Sequence, residues 1–247
     1  MEFRTTTSAA EIALHLRERI LALGLTKYNV GQAAWRRPAT DRPVVLVVGQ
    51  VESDASIRLG APCVRGNVAL LKAVRAERPG AHLVYKPHPD VVARLREAGA
   101  GEGRAAQWCD EIVVDAPMDR VLREVDEVHV LTSLAGFEAL LRGKPVVCWG
   151  APFYAGWGLT DDRVPLPRRG RRLSLDALVA GVLLLYPTYV SRRTGCFTTA
   201  EQALEELQAW RQEAPAGSSG VSPARRAWRW TLRHLVAWRR RWSGEAA

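Results

Sequence analysis

The sequence predicts an α/β fold built on a parallel, doubly wound sheet, and three observations predict it. Val44–Val48 is an unbroken run of valine and leucine ending at Gly49, as in a strand buried on both faces. From there to Trp149, strand-like and helix-like segments alternate, the pattern of successive β-α-β units. Turn residues stand at the joints, with Pro79 and Gly80 closing one helical segment and Gly143 another.

The elements follow in order. Ala9 to Leu23 places Ile12, Leu16, Ile20 and Leu23 at helical spacing, with Gly24 as a stop. Lys27 to Thr40 reads as a connector. After the Val44–Val48 strand come a helix over Val68–Arg78, a strand over Leu83–Lys86 and a short helix over Val91–Ala98. A strand over Ile112–Asp115, a helix over Met118–Val125 and a strand over Val128–Thr132 succeed them. Leu134–Arg142 is then helical, and Val146–Trp149 is a fifth strand. Beyond Asp176 the pattern is helical, over Leu178–Leu185 and Thr199–Trp210.

The expected organisation is an N-terminal helix and connector over 1–40 and a Rossmann-like domain with closing helices over 41–213. A linker rich in Pro, Gly and Ser over 214–224 and a basic Trp/Arg tail over 225–247 complete it.

Composition narrows the class. Apolar content of 47% and charged content of 25% are those of a soluble globular chain. No apolar run approaches the roughly 20 residues of a spanning helix. Met1 to Ala10 is polar and threonine-rich, without the apolar core of a secretory signal, so the cytoplasm is the expected compartment. Cys63, Cys109, Cys148 and Cys196 form no CxxC pair, which argues against a zinc or disulfide framework. No carboxylate cluster calls for a metal, and metal dependence is left open.

The net charge of +9 is mostly a property of the tail. Arg225 to the end holds seven arginines and one glutamate, leaving +3 for the rest. Without an RNP, zinc-finger or helix-turn-helix signature, nucleic acid is not an expected partner. As a helix, the tail sets Trp228, Leu232, Leu235, Trp238 and Trp242 on one side. Arg226, Arg229, Arg233, Arg240 and Arg241 fall largely on the other. That suits an anionic membrane surface; a helix packed back on the domain, or a disordered basic end, is the alternative.

Right-handed crossovers place ligands at the carboxyl ends of parallel strands, and four motifs fall there. GQVESDASI (Gly49 to Ile57) offers the carboxylates of Glu52 and Asp54, or else a solvated turn with capping Asp and Ser. YKPHPD (Tyr85 to Asp90) fixes His88 between two prolines beside Lys86, cationic and polar groups suited to a phosphate leaving group. TSLAGFEALLRGKPV (Thr132 to Val146) has Ser133 at an N-cap position and small Ala135 and Gly136 in the first turn, an anion site. Glu138, one turn in, can accept from ribose hydroxyls or complete the cap. GAPFYAGWGLTDD (Gly150 to Asp162) is a lid or sugar platform carrying Tyr154 and Trp157, or a hydrophobic plug against the sheet.

In this order the motifs resemble the capsule-polysaccharide retaining β-Kdo transferases of the KpsC type. The resemblance runs through LTKYNVG (Leu25 to Gly31), GQVESDASI, YKPHPD, DEVHVLTSLAGFEALLRGKPV, PFYAGWGLTDD and LYPTY (Leu185 to Tyr189). It implies the donor-binding domain of a GT-B glycosyltransferase using CMP-Kdo as donor, with no further cofactor. Asp54 takes the place of the family's nucleophile, and His88 that of the histidine contacting the CMP phosphate. Lys86, Ser133, Gly136 and Glu138 fall in the nucleotide-binding segments, and Glu52, Tyr154 and Trp157 are sugar or lid candidates.

The implied chemistry is a double displacement with net retention. The implied acceptor is a glycolipid or Kdo oligosaccharide at the inner membrane. Only 43 residues precede the first strand, so the chain is expected to be the donor-binding half alone, as a fragment, a split gene product or a degenerate copy, with a partner chain one source of the acceptor domain. A non-catalytic CMP-Kdo-binding or scaffold module is the alternative reading.

Overall fold

β1 (Val44–Val48) forms the centre of the sheet, with all five side chains buried. The computed structural model describes residues 8–27 and 33–213, so the expected linker at 214–224 and tail at 225–247 lie outside the described residues. On one side of β1 stand β2 (His82–Lys86) and β3 (Glu111–Ile112). On the other stand β4 (Glu127–Val130), β5 (Val146–Cys148) and β6 (Asp161–Asp162), giving the order β3-β2-β1-β4-β5-β6. Every pairing in this sheet is parallel. The order reverses at β1, which makes the carboxyl ends of β1 and β4 the switch point of the sheet. Five strands were expected; β6 is two aspartates without apolar periodicity, which is why the pattern did not announce it.

The sheet is covered on both faces. Val44, Leu46 and Val48 pack with α1 (Ala9–Ala22), α5 (Met118–Glu124), α6 (Leu134–Leu141) and α7 (Leu175–Val179). Val45 and Val47 pack the opposite way, with Ile57 of α2 (Ala55–Gly60) and Leu70, Leu71 and Val74 of α3 (Asn67–Glu77). Burying such a side chain contributes about 1.5–3 kcal/mol, so a strand with no polar face is what this position selects.

The N-terminal helix joins this same body. Ser8 and Glu11 form a capping box at its start, and Arg17 pairs with Asp176 of α7 at 3.0 Å. α7 runs on as a π-helical segment over Ala180–Leu185 rather than as one regular helix. No described helix is long and apolar enough to cross a membrane.

The chain divides into two compact units between Tyr189 and Val190. Beyond the boundary lie the second residue of β7 (Tyr189–Val190), β8 (Phe197–Thr198) and α8 (Ala200–Glu213). Within that unit Glu206 accepts from the Ser191 hydroxyl at 2.6 Å and the Arg192 N–H at 2.8 Å. The Arg192 guanidinium lies 4.1 Å over the Trp210 ring.

One expected helix is cut short. α4 covers only Pro89–Val92, because Arg94 adopts φ 55° and the N–H groups of Leu95 and Arg96 turn back to the Asp90 carbonyl. A left-handed non-glycine residue costs about 1–2 kcal/mol. Three contacts offset it: Arg96 to Asp54 at 2.6 Å, the Ala100 N–H to Glu52 at 3.0 Å and the Gly99 N–H to Glu102 at 2.7 Å. Tertiary bonding therefore overrides helical periodicity here, and it returns Arg96 to the end of the sheet.

Asn67, fully buried at the start of α3, accepts from the Gln50 N–H and donates to the Gln50 carbonyl, both at 2.9 Å. Asn67→Ala strands both backbone groups and should lower stability by about 2–4 kcal/mol. Urea unfolding reads this as a lower midpoint at unchanged slope; an unchanged midpoint would show that this bonding does not hold the loop.

Candidate functional site

The loop after β1 is fixed before it offers any chemistry. A Cβ on Gly49 would lie 2.6 Å from the Tyr85 Oη and 3.0 Å from the Pro87 Cα, so glycine lets the ends of β1 and β2 touch. Gln50 spans the switch point: its Oε1 accepts from the Thr132 N–H at 2.8 Å and its Nε2 donates to the Thr132 Oγ1 at 3.1 Å. Glu52 points into this frame, accepting from the N–H groups of Asn67 at 2.7 Å and Ala100 at 3.0 Å. Both carboxylate oxygens hold backbone, which gives Glu52 a structural duty in this loop. Asp54 differs. It occupies the N-cap position of α2 but makes no side-chain capping bond, and its half-exposed carboxylate pairs with Arg96 at 2.6 Å.

At the end of β2, Lys86 is buried, which lowers its ammonium pKa while Asp115 opposes the shift. His88 caps α4, its Nδ1 accepting from the Asp90 N–H at 3.1 Å, which assigns the proton of the neutral ring to Nε2. Burial pushes the imidazole below its ordinary pKa. Asp90 and Asp54 pull the other way, and Lys27 and Arg96 reinforce the depression. The ring thus sits in the fields of groups on the loops after β1 and β2 and on the turn after α1. A neutral imidazole donating through Nε2 suits an anionic oxygen.

At the end of β4, Ser133 caps α6, its hydroxyl accepting from the Ala135 N–H at 3.2 Å and its carbonyl accepting from the Tyr154 phenol. A Cβ on Gly136 would lie 2.2 Å from the Tyr154 Oη. Here glycine makes room for tyrosine. Tyr154 is fully buried, so it is no sugar platform. It meets Phe153 edge-on at 5.1 Å, and Phe153 lies 5.2 Å from Phe137. Trp157 gives its indole N–H to the Phe153 carbonyl at 2.8 Å, with Arg169 5.4 Å over its ring. The loop after β5 is therefore the plug rather than the lid.

Glu138 is 7% exposed and reaches away from its own helix, accepting from the Lys27 N–H at 2.6 Å. Burial raises its pKa, against that hydrogen bond and the charges of Arg142 and Lys27. It does not complete the cap of α6. Lys27 emerges as a group the motifs left unassigned; its only sequence signal was its place in LTKYNVG.

The carboxyl edge thus places Asp54, Arg96 and Lys27 around His88, with Glu138 joined through the Lys27 N–H and Lys86 buried at the end of β2. A groove of about 660 Å³ lies elsewhere, between the end of α1, Trp35–Arg37 and α5, and none of these residues lines it. Among the described residues no group of three His, Cys, Asp or Glu side chains is placed to hold a metal.

Two outcomes follow. Gly136→Ala should destabilise the fold by about 1–3 kcal/mol through the Tyr154 clash, read as a lowered melting temperature; an unchanged one would mean that the loop yields. His88 should titrate below the ordinary 6.5 in an NMR pH series. With the folded value below the unfolded one, charging the ring opposes folding. The effect is absent above the unfolded value, and stability falls as pH drops through and below it. A midpoint at or above 6.5 would contradict the described environment.

The comparisons with known proteins bear on the fold and the family. The family model described as capsule polysaccharide biosynthesis protein matches residues 1–197. The chain is 48% identical over 197 residues to the capsule polysaccharide modification protein LipA of Neisseria meningitidis, covering 80% of this chain and 28% of LipA. It is 44% identical over 208 residues to the lipopolysaccharide-processing protein LpsZ of Rhizobium meliloti, covering 83% and 47%. The chain thus spans less than half the length of these relatives. Among solved structures, Thermosulfurimonas dismutans KpsC, the beta Kdo 2,7 transferase, superposes with a TM-score of 0.71 at 46% identity, over 84% of this chain and 64% of that one. The beta Kdo 2,4 transferase KpsC of the same organism gives 0.70 at 31% identity, over 83% and 64%. On sequence and fold together, the chain belongs to the capsule polysaccharide biosynthesis protein family.

Proposed function

We propose that the chain binds CMP-Kdo and carries the donor side of a retaining Kdo transfer in capsule linker synthesis. The observation that carries this reading is that Asp54 and His88 share one sheet edge, to which Glu138 is joined through Lys27, in a chain whose solved neighbours are Kdo transferases. Asp54 is the nucleophile in this reading. Its Oδ attacks the anomeric carbon, the bond to phosphate breaks, and CMP departs with one more negative charge than the phosphodiester carried. His88 donates through Nε2 to the phosphate, and Lys86 contributes positive potential from beneath. An acceptor hydroxyl then attacks the glycosyl ester, its proton passing to a base on the acceptor side, and the Asp54 carboxylate is regenerated. Two inversions give retention.

In this reading Arg96 orients Asp54 in the resting state and must yield as the sugar docks. The acceptor is a glycolipid or Kdo oligosaccharide, the setting is the cytoplasmic side of the inner membrane, and the acceptor domain comes from outside the segment described.

The Asp54–Arg96 pair also supports a second reading, a module that binds CMP-Kdo without turnover, since a carboxylate held at 2.6 Å by a guanidinium is a poorer nucleophile. Intact-mass spectrometry after incubation with CMP-Kdo separates the two. The transferase reading expects one Kdo added to the wild-type chain and none to Asp54→Asn, with CMP affinity within a few-fold. CMP binding without adduct or CMP release favours the module, and an adduct that persists in Asp54→Asn removes Asp54 as nucleophile.

A further inference from the structure

The turn after α1 is held to the sheet edge more firmly than a connector requires. Gly24 reverses the chain at φ 57°. Arg142, 4% exposed at its side chain, donates to Asp119 at 2.5 and 3.0 Å, to the Glu138 carbonyl at 2.7 Å and to the Leu25 carbonyl at 3.4 Å. One buried guanidinium thus ties α5, α6 and the turn together. The next fixed point is the Lys27 N–H on Glu138 at 2.6 Å, and Ala33 is fixed again to the Asp115 carbonyl at 2.8 Å. The Lys27 side chain is exposed, while its backbone is pinned to Glu138 of α6.

The other cations of this edge are placed differently. Lys86 is buried at the end of β2, and Arg96 reaches Asp54 from the segment beyond α4. Lys27 has an exposed stem on a fixed base, and its charge reaches both the His88 ring and Glu138. An ammonium brings three donors and a full positive charge to an anion.

Resting on the nucleotide reading above, we propose that Lys27 is a further ligand of the donor's phosphate, closing from the α1 side the site that His88 approaches from β2. Glu138 then has two roles on one side chain: it positions Lys27 through the backbone, and it stands beside the nucleotide. The leaving phosphate gains a negative charge as its bond to the sugar breaks, so Lys27 acts more strongly on the transition state than on the bound donor.

The test compares the full chain with Lys27→Met and Lys27→Arg, using CMP and the phosphate-free nucleoside cytidine as probes in calorimetric and NMR titrations. Lys27→Met should weaken CMP by about 10- to 100-fold and leave cytidine unchanged, with a shallower salt dependence for CMP. Lys27→Arg should recover CMP affinity to within a few-fold. Wild-type CMP affinity in Lys27→Met, or an equal loss for both probes, would overturn the phosphate role while the nucleotide reading stands. A wild-type chain that binds neither probe would overturn the nucleotide reading and this proposal with it.

Discussion

Burial of the central strand on both faces is the constraint from which the rest of this structure follows. β1 presents valine and leucine to helices on each side, and its neighbours continue the two apolar layers. No functional polar group can stand on either face without losing water and finding a partner inside. His129 shows what that demands: fully buried on β4, it is held by Trp149, whose indole N–H donates to its Nδ1 at 3.0 Å, and by Glu127, itself paired with Arg78. Chemistry is left to the edge of the sheet, where the strands hand over to loops and the order of strands reverses.

At that edge the structure separates groups that build from groups that can act. Glu52, Asn67, Gln50 and Glu102 are turned inward on backbone N–H groups, carbonyls or neighbouring side chains, and they fix three loops relative to one another. Asp54, His88 and Lys27 stand on loops so fixed, their side chains wholly or partly exposed. Arg142 does for the turn after α1 what Glu52 does for the loop after β1. The two buried or half-buried groups nearest the proposed phosphate, Lys86 and His88, are both shifted by burial toward their neutral forms, with nearby carboxylates opposing. An incoming anion reverses that balance.

Much of the fold was legible because the strand-helix alternation is carried by apolar periodicity that no tertiary contact contradicts. β1 and the helices over 118–124 and 134–141 show this. The reading failed where tertiary bonding decides: at Arg94, where two distant contacts of Arg96 and Ala100 with the loop after β1 outweigh a helical pattern, and at β6, two acidic residues that join the sheet by pairing alone. For the site, a strand-end position located Asp54 and His88 correctly at the edge, but residue type could not tell which way a side chain turns. Glu52 and Asp54 lie two apart on one loop and face opposite duties. Gly136 read only as a small residue opening α6, and the room it leaves is filled by Tyr154. Lys27 sits in a connector without periodicity, and only the bond from its backbone to Glu138 brings it to the site.

The central claim is that the carboxyl edge of the sheet, at the exits of β1, β2 and β4, receives a cytidine nucleotide. A titration of the ¹⁵N-labelled chain with CMP, followed by amide chemical shifts, tests it most directly. Saturable shifts centred on Lys27, His88, Asp90 and Ser133 to Glu138 are the result predicted. Shifts confined to the groove beside Trp35, Arg120 and Arg123, with the sheet edge silent, would contradict it.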